Sequence, residues 1–316
     1  MRAWKVGGSL GILIGLLLGG GLLSWAEATG SVTAAPGYTV ESFATGLQNP
    51  RALALGSRGP FGGGLYVVEH PAGQETGRLV ALDSLGQATL WAEGLRGTGR
   101  VAWRAEGPWG GFAYLVEGPG GEASGLHLVR VNPTGKAEPF RAVPGGTRAA
   151  GSPVFGPPGP WGEDLYLGDA AEGKIWRVSP EGTVSSLIQG LSGPRALALA
   201  PAGSPWEEGL YVATGPAVLR VGVDGQAHPV VEGAVAPSHL AFGEGGGLGT
   251  DLYLAESGLA GVRLLRVNPA GAVTLVAQGF GAIGGMALAS TAPWGPALFV
   301  AEASSGVIYR IAPTNR

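Results

Sequence analysis

Leu65-Tyr66-Val67-Val68-Glu69 is one instance of a phrase that returns along the chain: a hydrophobic residue, an aromatic, two small or apolar residues, then usually an acid. It reappears as Ala113-Tyr114-Leu115-Val116-Glu117, Leu165-Tyr166-Leu167-Gly168-Asp169 and Leu210-Tyr211-Val212-Ala213-Thr214. The last two copies are Leu252-Tyr253-Leu254-Ala255-Glu256 and Leu298-Phe299-Val300-Ala301-Glu302. The aromatics are 48, 52, 45, 42 and 46 residues apart. That period suits the blades of a propeller and is too long for leucine-rich repeats.

Each phrase has a constant setting. Upstream lies a short apolar strand, such as Pro50-Arg51-Ala52-Leu53-Ala54-Leu55 or Pro194-Arg195-Ala196-Leu197-Ala198-Leu199. Its counterparts begin near Gly99, Gly151, Pro237 and Gly284. Downstream come a third strand, for example Leu128-Val129-Arg130-Val131, and a tight turn such as Asn132-Pro133-Thr134-Gly135. A fourth strand closes on a small phrase, as in Trp91-Ala92-Glu93-Gly94-Leu95. Four short antiparallel strands per unit, repeated radially, predict an all-β six-bladed propeller over 37–316. The sixth unit has three strands, and a fourth is supplied from the other end by Phe43-Ala44-Thr45-Gly46-Leu47. The N-terminal strand is therefore expected to complete the last blade and remove an open edge.

Composition agrees. The 316 residues include 60 Gly and 24 Pro, yet 45% are hydrophobic and 14% charged. A disordered chain needs the reverse balance, so the glycines belong at the turns of a turn-rich fold. Collagen is excluded, because no Gly recurs at every third residue. With 20 basic and 23 acidic residues the net charge is -3, which argues against nucleic-acid binding. The absence of Cys removes disulfides, thiolate metal sites and Cys nucleophiles together.

The combined pattern of Pro-x-small-Leu-Ala, Leu-Tyr-Val-Ala-acid, Arg-Val-x-x-x-Gly and x-x-Gly-Leu resembles NHL repeats. It is also similar to the wider six-bladed superfamily that includes the gluconolactonase and senescence-marker-protein lactonases. The resemblance spans 38–316 and implies the propeller fold. In the lactonase-like members it further implies a divalent metal, usually calcium, held by Asn, Asp and Glu at the channel mouth. Calcium takes six to eight oxygen ligands. The positions here are Arg51, Gly99, Gly151, Arg195, Ser238 and Gly284. None is a carboxylate or amide, so calcium stays conceivable but unmatched by ligands of that kind, and no metal ligand is assigned.

Arg51 and Arg195 either pair with nearby acids or hold a carboxylate or phosphate at the mouth. Glu69, Glu117, Asp169, Glu256 and Glu302 ring the same face. They form a cation or sugar site, or each caps the glycine-rich turn after it. Repetition in five of six blades favours the structural role. The third-strand arginines Arg130, Arg177, Arg220, Arg266 and Arg310 are expected as solvated sheet edges. On the opposite face, Trp109, Trp161, Trp206 and Trp294 occupy one repeated position with Phe61 and Leu248. They serve as a carbohydrate or peptide platform or as plugs between blades. Symmetry breaks in the loops 70–77 and 118–125, where His70 sits beside Glu69 and is a general base, a lone ligand or merely exposed. Catalytic motifs are missing: the single G-x-S-x-G match, Gly7 to Gly11, falls in the N-terminal apolar run, and Gly97-Thr98-Gly99 has no following helix.

Residues 1–28 read as a secretory signal, from Arg2 and Lys5 through an uncharged apolar run to Ala26-Glu27-Ala28. The rival is an uncleaved anchor, the one route to membrane contact. Residues 29–36 are expected as a disordered tail. The expectation for function is an exported or periplasmic, monomeric, non-enzymatic module. It binds a protein, peptide or carbohydrate at the mouth and needs no cofactor. The alternatives are a calcium-dependent lactonase and a polysaccharide binder using the Trp ring.

Overall fold

A computed structural model describes residues 31–56, 63–96, 100–104, 106–117, 126–144, 149–258 and 261–314. The signal or anchor segment 1–28, Phe61, Gly97 to Gly99 and the loop 118–125 lie outside them. Six four-stranded antiparallel sheets follow one another around a ring. Their innermost strands are Pro50–Leu55, Val101–Trp103, Ala149–Phe155, Pro194–Leu199, His239–Phe242 and Ile283–Ala289. Each contacts the next, and the sixth returns to the first, so the ring is closed.

The repeated phrase is apolar throughout because each copy serves two cores. Leu65 and Val67 pack with Ala297 and Phe299 between blades six and one. Tyr66 and Val68, on the other face, pack with Ala113 and Leu115 between blades one and two. The same division holds around the ring, giving one buried cluster per blade junction. A strand buried on both faces reads as a continuous apolar run rather than an alternation. The outer strands, such as Ala227–Glu232, are largely exposed.

The N-terminal strand Tyr38–Ala44 pairs antiparallel with Val307–Pro313 and completes blade six, with Val40 opposite Ile311. One expectation is corrected here. The described part of the 29–36 tail is not loose: Thr33–Ala34 pairs with Gln278 and Ala277, and the Ala35 amide donates to the Val276 carbonyl. The short strand adds a fifth member to blade five, because the outer edge there still offers free backbone groups.

Gly46, Gly94, Gly190, Gly233 and Gly279, which end the outer strands, all have φ between +74° and +92°. That region costs other residues about 1–2 kcal/mol, which fixes the x-x-Gly-Leu phrase. Among the described residues no helix is long and apolar enough to cross a membrane.

Candidate functional site at the channel mouth

The innermost strands begin, and the second strands end, on one face of the ring, here called the mouth. Three innermost strands open with the same irregularity, and a fourth opens with a wider one. Pro50 pairs with Glu69 and Ala52 with Val68, leaving Arg51 as an extra residue. Arg195 is set out in the same way between Pro194 and Ala196, and Gly284 between Ile283 and Gly285. The register break in Ala149–Phe155 falls across Gly151. Such bulges re-aim a side chain out of the ladder. Arg51 and Arg195 are both exposed, and their blades, one and four, stand opposite each other. Among the described residues neither has an ion-pair partner. Gly284 has a packing reason of its own: a Cβ there would strike the Pro50 carbonyl and the Arg51 Cα.

The acids are arranged differently. Four of them accept a backbone amide from the segment entering their own blade: Gln48 to Glu69 at 2.6 Å, Arg96 to Glu117 at 2.7 Å, Val235 to Glu256 at 2.9 Å and Gly281 to Glu302 at 2.5 Å. Asp169 instead accepts the amides of Ala171 and Glu172, in the turn after it, and the Trp176 indole N–H. Glu69 also pairs with Arg78 and Glu256 with Arg263, while Ser305 donates to Glu302. Glu69, Asp169, Glu256 and Glu302 are buried. Burial raises the Glu117 pKa, opposed by the Arg96 amide.

The third-strand arginines stay partly in solvent, as expected, but they are also paired. Each pairs with a second set of acids: Arg130 with Glu138, Arg177 with Asp164, Arg220 with Glu207, Arg266 with Asp251 and Arg310 with Glu41. Asp164 and Asp251 are buried. Nothing in the repeated phrase names these partners, because they sit just before it or on another strand.

The Trp ring is also corrected as a sugar platform. Trp109, Trp161, Trp206 and Trp294 are all buried, the first two to 1% exposure, so no ring face is presented to a ligand. Each indole N–H reaches the next blade: Trp109 to Glu163 O, Trp161 to Glu208 Oε1, Trp206 to Thr250 O and Trp294 to Gly63 O, at 2.7–3.1 Å. They are latches between blades. His70 is half-buried, its backbone held by Gln48 and Asn49, and its Nδ1 has no partner among the described residues. Glu69 is engaged elsewhere.

One step inside the mouth the ring carries two polar residues that the repeat analysis missed. Equivalent positions hold Ala52, Ala196 and Gly285, but Arg100 in blade two and His239 in blade five. Arg100 crosses the channel. Its Nη1 donates to His239 Nε2 at 2.6 Å and to the Gly284 carbonyl at 2.7 Å. Because a guanidinium only donates, Nε2 must accept, and the imidazole proton lies on Nδ1. Nδ1 then donates to Ser238 Oγ at 3.0 Å, and Ser238 donates to the Ala255 carbonyl at 3.3 Å. Ser238 therefore faces no base and is not an activated nucleophile. Burial, then the Arg100 charge, hold the His239 pKa well below the usual value. Burial and the neighbouring Arg51 charge bring Arg100 down to about 10, still protonated at neutral pH. The signal for this pair was a departure from small residues one position beyond the one aligned.

The donor set does not fit a calcium ion. The mouth positions offer cations, a hydroxyl and glycines, and among the described residues no three His, Asp or Glu side chains cluster to hold a metal.

Comparison with solved structures returns other propellers. A gluconolactonase from Xanthomonas campestris aligns with TM-score 0.62 at 13% identity, over 89% of this chain and 91% of that one. An auxiliary nutrient binding protein from Bacteroides thetaiotaomicron gives 0.64 at 13%, over 87% and 76%. Virginiamycin B lyase from Staphylococcus aureus gives 0.57 at 12%, over 88% and 99%. The likeness is one of fold. These neighbours carry out both catalysis and binding, as their names state, so the shared architecture does not choose between the two. No protein-family model matches the sequence, and no curated protein matches it either.

Proposed function

We propose that the protein is a non-enzymatic binding propeller acting outside the cytoplasm, with its ligand docked over the channel mouth. What supports this is the charge left over there. The acids of the mouth face are taken up by backbone amides, arginines, an indole and a hydroxyl, whereas Arg51 and Arg195 project from their bulges with no carboxylate opposite among the described residues. A rigid scaffold presenting unpaired cations recognises a partner of opposite charge. The N-terminal signal-like segment supplies the export half of the reading, and the nutrient-binding neighbour is compatible with it.

The test is affinity capture and calorimetry with anionic peptides and anionic saccharides on the wild type and the Arg51→Ala/Arg195→Ala double variant. The double variant should bind at least 10-fold more weakly, since a lost charge-assisted hydrogen bond costs about 1.5–3 kcal/mol. Undiminished binding would remove the mouth from consideration. Lactonase or esterase turnover that requires a stoichiometric divalent ion would replace this reading with a hydrolase.

A further inference from the structure

Arg100, half-buried inside the channel, has no opposite charge beside it among the described residues. Of its five N–H groups, the two on Nη1 are used by His239 and Gly284. Those on Nε and Nη2 have no partner among the described residues. His239 cannot neutralise the charge: its contribution is a lone pair from a neutral ring. Arg51, close enough to act electrostatically on Arg100, adds a second positive charge at the same place. Water could satisfy the free N–H groups, but it brings no opposite charge. The free Nε–Nη2 edge is the fork that matches two oxygens of one anion. Its positioning is rigid. The guanidinium is anchored across the channel to blades five and six, and His239 is itself fixed through Ser238.

We propose that the channel just inside the mouth is an oxyanion site, in which Arg100 grips a carboxylate or phosphate through Nε and Nη2 and Arg51 supplies the second charge. This deepens the binding reading and rests on it only for the identity of the rest of the ligand. The anionic group would enter from the mouth while its remainder stays over the rim between Arg51 and Arg195. A neutral sugar would leave both positive charges uncompensated, and a protonated amine would add a third.

The probes are inorganic phosphate and succinate, titrated by calorimetry against chloride at matched ionic strength. The wild type should bind at least one of them saturably at a single site. Binding of phosphate alone, or of succinate alone, identifies the oxyanion; no saturable binding of either overturns the site. Arg100→Gln should weaken binding at least 10-fold, and Arg51→Ala to a smaller extent. Equal affinity in Arg100→Gln overturns the proposal. If the Arg51→Ala/Arg195→Ala variant loses binding while Arg100→Gln keeps it, the mouth reading survives and the channel site falls. Because Arg100→Gln could unfold the ring, a second measurement uses the wild type. Phosphate should protect Arg100 from phenylglyoxal, mapped by mass spectrometry, and leave Arg130 and Arg220 as reactive as before. Equal modification of Arg100 with and without phosphate also overturns the site.

Discussion

Glu256 illustrates how a residue can be conspicuous in a sequence and still be misread. Its place at the end of a repeated phrase is plain, but its partner, the Val235 amide, lies 21 residues upstream across a loop, and no local pattern points there. The same offset recurs for Glu69, Glu117 and Glu302. Replacing Glu256 by Gln removes the charge facing Arg263 and weakens the amide bond. Stability should fall by about 1–3 kcal/mol, read from urea unfolding. Arg100 and His239 were illegible for another reason: the alignment that placed Arg51 and Arg195 stops one residue short of them. His239 also has a pH consequence. Its folded pKa lies below the unfolded value of about 6.5, so the unfolded chain binds the extra proton. The stability it supports is present above about pH 6.5 and is lost as pH falls, at up to about 1.4 kcal/mol per pH unit. Glu117, raised by burial, titrates in the opposite sense. Subtracting the profile of His239→Gln from that of wild type between pH 5 and 7.5 isolates the histidine. A flat difference would contradict its neutral, Arg100-bonded state.

At the scale of strands and connections, the repeat made the elements legible, because each is set by strong local chemistry. Apolar runs of five residues form the second strands, and left-handed glycines end the fourth. Bulges were not legible. A bulge depends on which residue of the neighbouring strand is skipped, and Pro50 to Leu55 reads as an unbroken strand until Glu69 and Val68 are seen to straddle Arg51. The Trp-bearing connections carry a clear prediction. Trp161→Phe keeps most of the packing and loses the bond to Glu208, so about 1 kcal/mol should go. Trp161→Ala empties a site of 1% exposure and should cost about 3–5 kcal/mol. Neither should alter phosphate or succinate affinity, since the latches lie on the face away from the mouth. Thermal unfolding and calorimetry on the two variants check both halves.

For the whole molecule, ring closure was the most legible property, because an unpaired third strand at one end and a spare strand at the other complement each other. What escaped was the two-residue strand Thr33–Ala34, too short and too ordinary to stand out from a tail. The two N-terminal pairings should differ in weight. Removing residues through 36 takes away one short edge strand and should lower the melting temperature by only a few degrees. Removing residues through 46 strips the outer strand from blade six and exposes its buried neighbours Ile308 and Ile311. Cooperative unfolding should then disappear from the calorimetric trace. Directionality adds a practical point. The chain passes Gly279 at Ser31, at the end of an outer strand that finishes on the mouth side, whereas Pro313 packs by Gly247 and Pro296 on the far side. A biosensor chip coupled at Ser31 would therefore press the arginine rim toward the support. Coupling at Thr314 would hold the same rim out to the flow, so the two formats should report unequal capacities for one analyte.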